Sequence, residues 1–402
     1  LLHSHCKLLF EPRRRGLKRV RLTRNRRGIK EKFVMTIKEL AYSAQQHVQA
    51  RTGASFKRAH IYELLAASFG FNSHAAFGFN TVLTELRPND RQAVPQGTLI
   101  NRRCIELGYR PDTATLATSA LESFLTERKI GIVSISSLIS RLRGESPNQD
   151  DELEYDEDEL FEPTDEAFGP ILVDGLDAAA SKGNALAHYA LALIYAPDNE
   201  DDPDAGSSYW YEQGQQGRVL TGVEKEWAEA HASRLAHAEK YAHHLREAGR
   251  LGHQDALLDL AERFDDPSFF EQPRHDVDAD PAAVAAIAER MGRPADVRHW
   301  LTLAAESGDT EAMLQLIEEY DHGDLQRCWT WAYLSRLVGT DLTQDAHYAI
   351  NEDGSDYDDD VGGPAYVAGR DGVDLEPLNP AQDATARLAA QKLFEQIEQN
   401  AR

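Results

Sequence analysis

The sequence predicts an all-α chain, an N-terminal helical bundle followed by an α/α solenoid of helix pairs, and three observations predict it. Apolar residues recur at helical spacing through much of residues 36 to 143, strand-like alternation is almost absent, and three segments align without gaps on Gly183, Gly252 and Gly308. With 402 residues, 42% of them hydrophobic, the chain has material for about two or three domains.

Charge divides the chain before any motif does. The net charge is −24, yet residues 1 to 34 carry twelve Lys or Arg against Glu11 and Glu31, a net +10, which leaves −34 on the remainder. The first Met is Met35, so residues 1–34 read as a basic disordered extension that is not necessarily part of the native protein. Its Arg13-Arg14-Arg15 and Arg24-Asn25-Arg26-Arg27 clusters are also the chemistry of phosphate-backbone binding or of an organellar presequence. The acidic body repels nucleic acid, which disfavours generic DNA binding.

Residues 35–144 form the expected N-terminal helical domain. Met35-Thr36-Ile37-Lys38-Glu39-Leu40 opens its first helix, and breaks fall at Arg51–Ser55 and near Gly70. Ile61, Leu64, Leu65 and Ser68 form one stripe, followed by a turn at Gly70 and a second helix over Ala75–Leu86, an order that a DNA-reading helix-turn-helix shares. That second helix lacks the Arg, Asn and Gln side chains that read base edges, so a small bundle is the preferred reading. Further helices are expected over Leu99–Leu107, Thr113–Arg128 and Val133–Arg143. Residues 145–168 are an acidic linker, with eleven carboxylates between Asp150 and Glu166.

In the second half the glycine register carries the argument. Four residues after each aligned glycine stands Ala187, Ala256 or Ala312; four further on, Leu191, Leu260 or Leu316; and another four brings Tyr195, Phe264 or Tyr320. This is one helical face. Upstream of each glycine lies an amphipathic first helix, as in Leu245, Ala248 and Gly249 or Leu301, Ala304 and Ala305. The glycine can take the left-handed conformation that ends a helix, and Asn184 or Asp309 can cap the next one. Gly217 and Gly339 extend the frame, with steps of 34, 35, 56 and 31 residues and an insertion expected at Asp265–Asp280. Steps near 34 are those of tetratricopeptide-type pairs.

These residues, above all Trp300-Leu-Thr-Leu-Ala-Ala305-Glu-Ser-Gly308-Asp-Thr-Glu-Ala312 and Trp210-Tyr211-Glu-Gln-Gly-Gln-Gln-Gly217, resemble the Sel-like repeat family over about residues 170–345. The register departs from that family at Thr221 and at the acidic insertions of Pro197–Asp204 and Asp265–Asp280. The resemblance implies an α-solenoid scaffold, a kind used in bacterial signalling and host contact. The organisation expected is therefore a solenoid over 169–345, an acidic Gly/Asp-rich loop over 346–379 and a C-terminal capping helix over 380–402.

Chemistry-bearing motifs are sparse. There is no GxSxG, GxxxxGK[ST], HExxH or dinucleotide fingerprint, so no enzyme, catalytic residue or cofactor is expected. His231, His237, His243, His244 and His253 cluster in sequence, but His237 and His244 stand two turns apart, about 10 Å, too far for a helical chelate; no metal site is expected. Glu352–Asp360 lacks the spacing of a calcium loop. Cys6, Cys104 and Cys328 are far apart, and no apolar run approaches the roughly 18–20 residues of a membrane helix, so a cytoplasmic protein without membrane insertion is expected. If a solenoid groove binds a peptide or protein partner, first-helix positions six and nine residues before each glycine should meet it: Tyr211, His243, Arg246, His299 and Tyr333. The alternative is a nucleic-acid-associated regulator using the basic extension and the helix-turn-helix-like segment 56–86.

Overall fold

A computed structural model of the chain describes residues 35–86, 95–144, 168–197, 206–272, 279–351, 355, 357 and 364–400. The basic extension, the acidic linker, the insertion at 198–204 and most of Glu352–Asp360 lie outside the described residues. The chain is predominantly helical, as its periodicity predicts, and it divides into two compact units, Leu1–Ala256 and Leu257–Arg402. Among the described residues no helix is long and apolar enough to cross a membrane.

In the first unit, Thr36 and Glu39 form a reciprocal capping box that starts α1 (Ile37–Thr52), and Gly53 ends it at φ +67°. Helices α2 (Arg58–Ser68), α3 (Gly97–Glu106) and α4 (Pro111–Glu127) close a core of Leu40, Val48, Ile61, Leu64, Ile100 and Leu121, each essentially inaccessible to solvent. Pro111 stands in the first turn of α4, where its missing N–H costs nothing.

Two expectations fail beside this core. The helix expected over Ala75–Leu86 is instead a turn at 74–78 and strand β1 (Thr81–Glu85), and the helix expected from Val133 begins only at α5 (Ile135–Leu142), after strand β2 (Ile130–Ser134). The strands pair antiparallel with Val82 opposite Val133 and Leu83 opposite Ile132. Gly78, at φ +89°, breaks the helical path, and β-branched Thr81 and Val82 suit a half-buried ribbon. The helix-turn-helix order is thus absent from 56–86.

Helices α6 (Pro170–Ala180), α7 (Ala185–Ile194), α8 (Ser207–Gln215) and α9 (Val223–Arg250) complete this unit. α6 packs on α1 and β1: the Ile37 N–H donates to the Asp174 carboxylate at 2.9 Å, and a Cβ on Gly175 would stand 3.3 Å from Val82. Helices that the sequence assigns to the repeat region therefore belong with the N-terminal bundle, and the two units divide at 256/257.

The glycine register is visible where helices turn. Gly183 adopts φ +83°, and the Asn184 side chain accepts the Ala187 N–H at 3.1 Å, so that α6 and α7 form a packed hairpin. After Gly217 the second helix does not follow at once. Residues 218–222 form a loop, and α9 then runs 28 residues without interruption through the segment where one pair should end and the next begin. Nothing between 223 and 248 breaks a helix, and seven alanines favour one.

In the second unit, α10 (Gln254–Phe264), which starts before the division, and the single turn α11 (Ser268–Glu271) precede α12 (Pro281–Arg290), α13 (Pro294–Glu306) and α14 (Thr310–Gln315). A π-helical turn (Leu316–Tyr320) and α15 (Leu325–Leu337) follow. The expected insertion is followed by a further hairpin, α12–α13, which the Asp280 cap opens and Gly292, at φ +67°, turns, and which the glycine register omits. Gly308, at φ +101°, and Asp309, which caps α14, turn the chain as expected. Of the register residues Ala187, Leu191, Tyr195, Ala256, Leu260, Ala312 and Leu316 are buried, whereas Phe264, at the end of α10, is 41% exposed.

The acidic loop expected over 346–379 contains a second antiparallel ribbon, β3 (Ala346–Ile350) with β4 (Tyr366–Arg370). Helix α16 (Pro380–Asn400) then lies along α15, burying Ala386 and Ala390 against a core that includes Val297, Trp300, Met313, Trp331 and Leu334.

Candidate functional site

The densest collection of polar, titratable and aromatic groups lies along α9. One face of its C-terminal half buries Tyr241, Leu245, Ala248 and Gly249, and α7 packs on α9. Beside this seam His188 of α7 meets His244 of α9, Nδ1 to Nδ1, at 3.0 Å. Tyr195 stacks on His244 at 6.1 Å and tilts against His237 at 5.6 Å, and the Lys240 ammonium sits 4.4 Å from the Tyr195 ring centre.

Burial makes His188, His244 and His253 poor bases. His244 is pushed down to about 4, first by desolvation and then by the cationic forms of His188, His243 and Lys240. Desolvation likewise lowers His188, with Glu247 opposing it, and lowers His253, whose ring stacks on Tyr189 at 4.4 Å. Asp177 on α6 is raised by desolvation despite the charge of Lys240. The lowered values favour the uncharged forms of His188 and His244 in the seam, which Lys240 and the Glu247–Arg250 ion pair at 2.7 Å border. Among the described residues no group of three or more His, Cys, Asp or Glu side chains is placed to hold a metal ion.

His243 and Arg246, both predicted partner-binding positions, are exposed on the next face of α9. With Leu235, Ala238 and Ala242 they line a shallow depression of about 540 Å³, rimmed by Glu239 and Glu247. Tyr211 is half-buried on α8, its ring 5.2 Å from His231 of α9; next to it Arg218 lies over Trp210 at 4.6 Å, and Tyr209 is half exposed. The first unit thus brings Tyr211, His243 and Arg246 onto the α8–α9 pair.

The remaining two predicted positions lie in the second unit. His299 is half-buried, edge-on to Trp300 at 5.5 Å. Tyr333 does not face open solvent. It is buried under α16, where its hydroxyl donates to Asp383 and accepts from Arg387 at 2.9 Å, while that guanidinium lies 4.2 Å over the ring. The chain's own last helix covers this position.

Sequence spacing gave no hint of His188 as the partner of His244, because the contact spans 56 residues. Nor does it single out Asp321, whose backbone N–H closes the π-helical turn on the Leu316 carbonyl and whose carboxylate is fully buried. Asp321 accepts from Arg298 Nε at 2.8 Å, Arg327 Nε at 2.6 Å and the Trp331 indole at 2.9 Å. The free thiols Cys104 and Cys328 are buried and pushed up to about 11, mainly by desolvation, so both are protonated and unreactive at neutral pH. Comparison with known protein families, curated proteins and solved structures finds no match to this chain.

Proposed function

We propose that the chain is a protein-interaction scaffold, related to Sel-like repeat proteins, that holds a peptide or protein partner along α8 and α9. The observation that carries this reading is the side-chain inventory of those helices: Tyr209, Trp210, Tyr211, His243 and Arg246 combine broad aromatic area with directional hydrogen bonding, on two helices that pack on each other while α7 packs on α9. Supporting it, the hairpins at Gly183 and Gly308 have the turn geometry on which helical repeats are built, and extended arrays of such pairs present continuous faces to ligands. The uninterrupted α9 makes this a departure from a regular array, with one long helix where two repeats would meet. The reading assigns no catalysis and no cofactor.

The test is affinity capture from native lysate with the full chain beside a Tyr211→Ala/His243→Ala variant of unchanged helical circular dichroism. A protein retained by the first and lost by the second supports the α8–α9 surface. Equal retention by both, or capture of nucleic acid alone, overturns it.

A further inference from the structure

Among the described residues α7 and α8 are the helices that pack extensively on α9. The cover from α8 reaches as far as His231, against Tyr211, and Arg234, whose guanidinium donates at 2.5 Å to the hydroxyl of Ser207, the first residue of α8. Beyond that point, from Leu235 to the end of α9 at Arg250, Leu235, Ala238, Glu239, Ala242 and Arg246 form one stripe at helical spacing on the face beside the α7 seam. Leu235 is 42% exposed, and the alanines make the stripe a shallow depression.

Charge identifies what would cover it. The stripe is symmetric about its own midpoint: Glu239 stands four residues after Leu235, Arg246 four residues before Arg250, and the middle falls between Ala242 and His243. The neighbouring charges are turned elsewhere, Lys240 to the Tyr195 ring at 4.4 Å and Glu247 to Arg250 at 2.7 Å. A helix laid along the stripe therefore meets a carboxylate toward one end and a guanidinium toward the other. A segment of a single charge sign gains at one of these and is opposed at the other. The helix α9 itself has the required order. Turned about a two-fold axis at the level of Ala242 and His243, a second α9 sets its Arg246 against Glu239 and its Glu239 against Arg246, so the pair forms twice, while Ala238 and Ala242 permit close approach of the two helices.

We infer that a second copy of the chain docks on this stripe, α9 against α9 in antiparallel orientation. The inference rests on the reading of α8 and α9 as an interaction surface and names the occupant of its α9 half. Leu235 of each copy then lies against the methylene stem of Arg250 of the other, which removes its exposed area from water. The net charge of −24 on each chain opposes association at long range, so the dimer needs salt to screen it.

Sedimentation equilibrium of the full chain in 150 mM sodium chloride, where the screening length is about 8 Å, tests this. A reversible monomer–dimer equilibrium is expected. Glu239→Arg and Arg246→Glu each replace two opposite-charge pairs by two like-charge pairs and should weaken self-association about tenfold or more. Glu239→Arg/Arg246→Glu restores both pairs and should return to within about threefold of the native chain, and an equimolar mixture of the two single variants should form a heterodimer. Rescue by the second reversal requires that the two residues meet each other, so it separates pairing from damage to the fold. A native chain still monomeric at about 100 µM, single variants that associate as the native chain does, or a mixture that stays monomeric would overturn the proposal. A monomeric native chain that nonetheless captures a lysate protein lost in Tyr211→Ala/His243→Ala would overturn the second copy as occupant while the α8–α9 surface stands.

Discussion

At 3.0 Å the Nδ1 atoms of His188 and His244 accommodate one proton between them, so protonating both places two like charges in contact inside the α7–α9 seam. Both pKa values are lowered in the folded chain, that of His244 from 6.5 to about 4. Between those values the unfolded chain binds more protons, so stability is complete above about pH 6.5 and is lost as pH falls toward 4. Thermal melts at pH 7.5 and 5.0 should show the loss in the native chain, and His244→Gln should remove roughly 1–2 kcal/mol of it once residual solvent is discounted. An unchanged pH response in His244→Gln would refute the assignment. Asp321 contributes through its partners, a buried carboxylate set between Arg298 and Arg327. Asp321→Ala strands the Trp331 indole N–H and two guanidiniums, but both arginines keep access to water, so the expected cost is about 2–3 kcal/mol in urea unfolding rather than the full burial penalty.

Helix hairpins turn on single residues, and the two at Gly183 and Gly308 separate two causes of sensitivity. A Cβ at Gly183 would meet nothing within 4 Å, so Gly183→Ala should lose only the backbone term of its φ of +83°, about 1 kcal/mol, and Gly183→Asn less. Removing the cap with Asn184→Ala should cost about 1 kcal/mol more, and the pair should be less than additive because both act on one turn. Denaturant midpoints of the three variants check this; a larger loss for Asn than for Ala at 183 would contradict the left-handed assignment. These turns were legible because a helix stop, a cap and an apolar face all fall at fixed offsets. The same logic missed Gly292, where Asp296 stands four residues on in place of the register's alanine, and it split α9, because a frame built on glycines takes no account of the intervening helix propensity. Strands β1 and β2 were not legible as strands at all: each is five residues long, and a short apolar run reads equally well as part of a helix until its partner, about 50 residues away, is known. Of the candidate site, His243 and Arg246 line one depression on α9 and Tyr211 stands on the adjoining α8 beside His231, whereas Tyr333 is claimed by Asp383 and Arg387, a contact across about 50 residues that no periodicity announces.

Across the whole molecule the governing quantity is charge. Residues 35–402 carry −34, and no arrangement of a predominantly acidic chain pairs more than a fraction of it. Folding concentrates that charge, so self-repulsion opposes the compact state and should relax as salt shortens the screening length from about 30 Å at 10 mM to about 8 Å at 150 mM. The same salt weakens attractive pairs, but exposed ones such as Arg102–Glu106 and Lys225–Glu229 contribute at most a few tenths of a kcal/mol each, so repulsion should dominate the balance. Melting temperature should therefore rise by several degrees between 10 and 150 mM sodium chloride. Over the same range a complex held by the basic residues 1–34 on a nucleic-acid backbone would lose affinity steeply, whereas one seated on the aromatic α8–α9 surface would change little. A melting temperature that falls with salt would mean that specific ion pairs, not net charge, set the stability of this chain, and would shift attention from the acidic surface to buried pairs such as those of Asp321.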